Sequence, residues 1–281
     1  ALALAWLLST TEGARWLADR AMGQVSGLQV SVDSGSVLDG LTLNQIHWVD
    51  GESDLELSIQ KAVLRWQPDC LLNREFCLDT FYVSGINVRS GEQVQTLDYL
   101  MADAHFSLAT RQIGAALQAV TADELGAKLK VEGTFDESLS WQGRINQAEV
   151  TLPVGTWSVE GTPGMTVASA QPRVTLEPHC WAGQPLRLCS EPIDITPEAG
   201  QINVSMDTLP LEILRPWLPD NLVLPGSMAG SANLLWSPDA EPRARVTMDS
   251  PAARIEVKMA DDEPPITLSY QRVVADVDIT A

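Results

Sequence analysis

The side chains best suited to covalent or metal chemistry in this 281-residue sequence are four cysteines that fall in two close pairs. Cys70 and Cys77 bound the segment CLLNREFC, and Cys180 and Cys189 bound CWAGQPLRLC. Four thiols permit three pairings, and the short separation within each pair favours two local bridges that each close a small loop. The competing chemistry is a metal site in which His179, next to Cys180, joins the thiolates. The sequence has no C-x-x-C knuckle and no H-x-x-x-H partner to complete it, so bridges are expected and no metal is. Bridged cysteines belong to an oxidising compartment outside the cytosol.

No other constellation promises catalysis. The three histidines, His47, His105 and His179, are far apart in strand-like or loop contexts. G-x-S-x-G, H-E-x-x-H, Walker and G-x-G-x-x-G patterns are absent. The carboxylates come one or two per strand and read as a solvated face. Asn203-Val204-Ser205 matches a glycosylation tripeptide, a pattern too frequent by chance to carry weight. The expectation is a non-enzymatic protein with no catalytic residue and no cofactor.

The elements that must hold these residues are strands. In Gln201 to Asp207 (QINVSMD) every second residue is apolar, which puts Ile202, Val204 and Met206 on one face of an extended chain. The same alternation gives Leu129 and Val131, then Ile255, Val257 and Met259, then Ile266, Leu268 and Tyr270. From Leu28 onward, strand-like runs recur every 8–14 residues with Gly, Asp and Asn turns between them, so the chain reads as all-β. The stretch MADAHFSLATRQIGAALQAV fits a helix or two strands by period, and its neighbours favour strands. Leu209 to Leu218, bounded by prolines, suggests a short helical turn. Ahead of the strands, Ser9 and Glu12 fit a capping box opening a helix through Ala21. Before it, Ala1 to Leu8 is wholly apolar, yet too short to cross a bilayer, which takes about 20 residues. It reads as a clipped signal region or as the outer end of a membrane anchor, with Trp6 and Trp16 suited to a membrane interface; an ordinary N-terminal helix with buried tryptophans is the alternative.

Composition narrows the partners. Hydrophobic residues make up 45% of the chain, enough for a core. The net charge is −19, and the 18 basic residues are scattered singly, so no stripe could track phosphates and nucleic acid is excluded as a partner. One-sided strands can be sealed by a second sheet, as in a sandwich, or left as an open trough whose apolar floor meets a ligand or membrane. Composition alone favours the sandwich.

Two segments carry a family resemblance. STTEGARWLADRAMGQVSGLQV, with the following GSVLDGLTLNQIHWV strand and the DCLLNREFC loop, resembles the start of the TamB family. That family holds the inner-membrane subunit of the translocation and assembly module, within the AsmA-like superfamily. LEPHCWAGQPLRLC, then INVSMDTLPLEILRPWLP and GSMAGSANLLW, is similar to an interior stretch of the same family. The two meet near Ser90 to Leu97. The resemblance implies an elongated, curved, one-sided β-sheet forming an open groove, after a short N-terminal helix. It implies residues 1–27 as an anchor end plus helix, 28–92 as an N-terminal β segment, and 93–281 as an interior groove segment. It further implies an inner-membrane-anchored protein on the periplasmic face that passes phospholipid towards the outer membrane. The family is linked to outer-membrane protein and autotransporter assembly with TamA, a barrel partner whose contact region lies outside the two matched segments. On that reading phospholipid acyl chains line up along Leu129, Val131, Ile202, Val204, Met206, Ile255, Val257, Met259, Ile266 and Leu268. Leu2, Leu4, Trp6, Leu7 and Leu8 form the anchor end. The second expectation is a chaperone-like module that binds outer-membrane client strands by adding them to a sheet edge.

Overall fold

The computed structural model describes residues 2–280 apart from 51–54, 92, 122, 124, 154, 184–185, 213–214, 216–218, 220, 239 and 258–265. After two N-terminal helices, every long element is a strand, and the strand pairings are antiparallel. The chain divides into two compact units. The first comprises Ala1–Phe135 and Asn146–Pro153, the second Asp136–Ile145 and Val154–Ala281.

The first unit opens with helices α1 (Leu2–Ser9) and α2 (Thr11–Met22). Ser9 falls in the last turn of α1, so the expected cap is displaced by one residue. The chain breaks at Thr10, whose Oγ1 accepts the Gly13 N–H at 3.0 Å. The two helices approach closely because Gly13 has no side chain. A Cβ there would lie 2.3 Å from the Leu7 carbonyl oxygen.

A meander follows: β1 (Leu28–Ser36), β2 (Gly40–Asp50), β3 (Leu55–Gln67), β4 (Glu75–Ser90), β5 (Gln93–Ser107), β6 (Gln112–Thr121) and β7 (Gly126–Phe135). Each pairs with the next. The stretch that was ambiguous by period is therefore the end of β5 and the whole of β6. A 3-10 turn, Pro68–Asn73, joins β3 to β4 and leads into Arg74 in the left-handed conformation. The Cys70–Cys77 bridge closes this loop.

Register shows how the apolar face of this meander is made. Leu41, Leu64, Phe81, Ala102, Leu117 and Leu129 stand opposite one another across β2 to β7. Leu43, Ala62, Val83, Leu100, Ala119 and Ala127 form the next row. Beyond it, Ile46, Ile59, Ile86 and Leu97 form a third. The third row is out of phase with the second in each strand: Leu43 and Ile46, or Val83 and Ile86, are three apart, not two. The phase is reset by one unpaired position per strand. Gln45, Gln60, Gly85 and Asp98 lie on one transverse line and are left out of the ladders. Gln45 and Gly85 have φ of 52° and 62°. This line is a crease of matched bulges, which bend a sheet and sharpen its twist.

The crease explains an unusual core. Ala62, Val83 and Ile86 are buried, Val83 to 3% exposure, and pack against Leu43, Ile46, Leu57, Ile59, Phe81, Val88, Leu97 and Leu100. Every one of these residues belongs to β2, β3, β4 or β5. Side chains of a flat sheet cannot bury one another this deeply, so the face curls over its own side chains.

The second unit uses β8 (Trp141–Leu152) up to Ile145, then β9 (Gly155–Val159), β10 (Gly164–Ala168), β11 (Arg173–Leu176), β12 (His179–Gly183), β13 (Leu186–Ser190) and β14 (Ile193–Ile195). They are followed by β15 (Gly200–Pro210), β16 (Leu222–Val223), β17 (Ser227–Ser237), β18 (Ala240–Val257) and β19 (Ile266–Thr280). β15 is the hub. One of its edges pairs with both β13 and β14, and the other with β17, from which β18 and β19 continue. Cys180 and Cys189 face each other in the β12–β13 ladder, 4.0 Å apart at Cα, and are bridged.

The helical turn expected over Leu209 to Leu218 begins later. Leu209 and Pro210 still pair with Met228 and Ser227 beyond a bulge, so cross-strand pairing extends β15 through them. Only from Leu211, which is buried, does the chain turn; residues 213–214 and 216–218 lie outside the described residues.

Candidate functional site

The residues singled out for catalysis or metal binding do not converge. His47 Nδ1 lies 3.8 Å from Glu56, His105 Nε2 lies 3.2 Å from Glu75, and His179 Nδ1 lies 3.0 Å from the Glu177 carbonyl. All four cysteines are spent in bridges. Glu75 comes close to Cys70 and Cys77, but their oxidised sulfurs offer no thiolate to a metal.

The polar faces carry cross-strand charge pairs. In the second unit Arg187 meets Glu160 at 2.7 Å, and Arg173 forks onto Asp194, Arg245 onto Asp276 and Arg272 onto Asp249. Hydrogen bonds from these guanidinium groups hold Glu160, Asp194, Asp249 and Asp276 below the usual carboxylate range. Exposed pairs of this kind fix register and solubility more than stability. Asn203 of the tripeptide sits among them, donating to Glu191 at 2.6 Å and accepting from Gln201 at 3.1 Å.

The remaining candidate is the apolar side of each unit. In the first, the face is buried at its centre in β3 and β4 and opens towards β6 and β7, where Leu117 and Leu129 are about 40% exposed. Leu129 and Val131 occupy the β7 end of two neighbouring rows, Val131 facing Ala115. In the second unit, Ile202 stands in line with Leu234, Ala244 and Ile279; Val204 with Ala232, Val246 and Val277; Met206 with Gly230, Met248 and Ala275. The first three are half-buried, whereas Val277 and Ile279 on β19 are exposed. Ile255 pairs in register with Leu268, and Val257 with Ile266; Leu268 and Ile266 are exposed. Met259 lies outside the described residues. Leu2, Leu4, Trp6, Leu7 and Leu8 share α1, with Trp6 exposed and Leu7 and Leu8 half-buried. Among the described residues no large side chain is fully buried, which a sandwich core would require.

Sequence reasoning passed over most of the first unit's face: Leu64, Phe81, Leu100, Ala102 and Leu117. The signal was present as alternation within LELSIQKAVLRW and FYVSGINV, but the phase change at Gln60 and Gly85 concealed its continuity.

An all-β chain whose antiparallel sheets keep one apolar side, following a short helical lead, defines a class of scaffold built on extended sheet surface. Within that class the chain matches the TamB, N-terminal domain family over residues 1–98 and 115–281, and it belongs to that family. The family is one of transport and assembly scaffolds of the translocation and assembly module. No solved structure matches the chain. Among the described residues no helix is long and apolar enough to cross a membrane.

Proposed function

We propose that the chain is a non-enzymatic, periplasmic, inner-membrane-anchored scaffold whose apolar sheet faces guide phospholipid acyl chains between the inner and outer membranes, in concert with a TamA-like barrel protein. The observation that supports this most directly is the self-made core of the first unit. Its buried residues come from a single face of β2 to β5, and the same face runs on into exposed Leu117 and Leu129. A face that curls over itself and stays open on one flank is a lined surface for a flexible apolar chain. Each buried methylene contributes about 0.8 kcal/mol without directional contacts, which suits passage of tails of varied length. The proposed lining extends to Val131, Ile202, Val204, Met206, Ile255, Val257, Met259, Ile266 and Leu268. α1 serves as the periplasmic end of the anchor.

The experiment is native mass spectrometry of the purified chain, paired with a photo-crosslinking residue at Leu129. Co-purifying phospholipid and lipid adducts at Leu129 support the reading; a lipid-free chain with no adducts overturns it.

The second reading, capture of client strands by edge pairing, draws on β19. This strand pairs with β18 over fourteen positions, Ile266 to Thr280, and comes last in the run β15, β17, β18, β19. Crosslinks from the β19 backbone to polypeptide, with none to lipid on the apolar faces, would favour it.

A further inference from the structure

The end of the first unit that carries α1 displays leucines where hairpin tips are usually polar. Leu72 is 85% exposed and Leu71 51%, at the apex of the bridged 3-10 turn between β3 and β4, and the turn buries none of its own residues. Leu108, on the next tip at that end, is 58% exposed. These tips and the helix are tied into one rim. The Leu38 N–H donates to the Leu8 carbonyl at 3.0 Å, and the Leu108 N–H to the Arg74 carbonyl at 2.8 Å. Between those two links, Trp66 Nε1 donates to the Val37 carbonyl at 2.6 Å. The Cys70–Cys77 bridge keeps Leu71 and Leu72 presented on the rim, since it stops the loop from folding them back.

We propose that this rim docks on a phospholipid bilayer, with Leu71, Leu72 and Leu108 entering its interfacial region. Three features select a bilayer over a protein groove. The leucines stand on separate hairpin tips, Leu71 and Leu72 between β3 and β4 and Leu108 between β5 and β6, each open to solvent. The rim is continuous through the Leu8–Leu38 hydrogen bond with α1, whose sequence is apolar from Leu2 to Leu8. Arg74, exposed between the two tips, supplies a cation for lipid phosphate. This goes beyond acyl-chain guidance: it gives the sheet a seat on the membrane, independent of whether lipid travels along its apolar face.

The test uses the full chain with vesicles of phosphatidylethanolamine and phosphatidylglycerol. A photo-crosslinking residue at Leu72 is expected to form lipid adducts, whereas the same residue at Val274, also exposed but on β19, forms few. The double variant L71S/L72S is expected to bind vesicles on the order of tenfold more weakly in flotation. Its unfolding temperature and the phospholipid it retains after purification stay as in the wild type, which separates docking from guidance. Wild-type flotation by the double variant, or adducts no more frequent at Leu72 than at Val274, overturns the proposal. So do polypeptide adducts in place of lipid adducts at Leu72 in native membranes.

Discussion

Substituting aspartate at two points of the same face separates an open surface from a closed core. Val83 and Leu129 lie on adjacent rows of the first unit's apolar side, three strands apart in the meander. Val83 is 3% exposed and Leu129 is 38% exposed. V83D forces a carboxylate into a site packed by apolar side chains of β2 to β5. Its desolvation costs several kcal/mol, on top of the ~1.5 kcal/mol lost with the valine. Against a total stability of about 5–15 kcal/mol, this variant is expected to be unfolded or close to it. L129D loses only the buried part of a leucine, about 1–2 kcal/mol, because its carboxylate reaches water. The chain should stay folded. What it should lose is lipid. A carboxylate that excludes about four methylenes from the face removes roughly 3 kcal/mol of contact, or on the order of a hundredfold in occupancy. Circular dichroism melts report the first effect and native mass spectrometry the second. The reasoning is refuted if L129D melts as early as V83D, which would mean that Leu129 is sealed beneath protein. It is equally refuted if L129D folds and carries as much phospholipid as the wild type.

Other consequences can be checked separately. G85V places a branched side chain at φ 62°, with its Cβ 2.4 Å from the Gln60 side chain, and is expected to lower stability by roughly 2 kcal/mol or more in denaturant unfolding. Replacing Cys180 and Cys189 by alanine removes a nine-residue loop closure and should cost about 2–3 kcal/mol, read as earlier proteolysis of β12 and β13. Because Glu160, Asp194, Asp249 and Asp276 have native pKa values below their ordinary ones, the stabilisation from their arginine partners is complete above the ordinary carboxylate range. It fades as pH falls through the depressed native values. Carboxyl-detected NMR titration should show each of these four side chains protonating below the ordinary value for its type, and R245Q should return Asp276 towards its ordinary value.

Much of the fold was legible because a half-buried strand writes itself as alternation. Gln201 to Asp207 and Ala127 to Val131 are strands in the structure for that reason, and the two cysteine pairs bridge locally as their spacing suggests. Three things were not legible. A bulge shifts the alternation by one residue, so Leu41 and Leu43 do not visibly continue into Ile46 and Trp48. Prolines at the end of β15 suggested a turn that cross-strand pairing with β17 overrides. The break between α1 and α2 depends on Gly13 meeting the Leu7 carbonyl, a tertiary approach that leaves no periodic trace. Of the proposed lining, Ile202, Val204 and Met206 could be placed on one face from sequence alone. Their neighbours Leu234, Val246 and Val277 follow only from register.

The transverse line through Gln45, Gln60, Gly85 and Asp98 has a consequence for how this chain can vary. Four strands change phase at the same level, so each depends on the others having made the same shift. Deleting Gln45 alone would leave Leu43 and Ile46 two apart and still on one face, but β2 would then run straight where β3, β4 and β5 keep their extra residues at Gln60, Gly85 and Asp98. A single-residue gap in one of these strands therefore unmatches the crease without turning the strand over, and length changes at the tips leave it untouched.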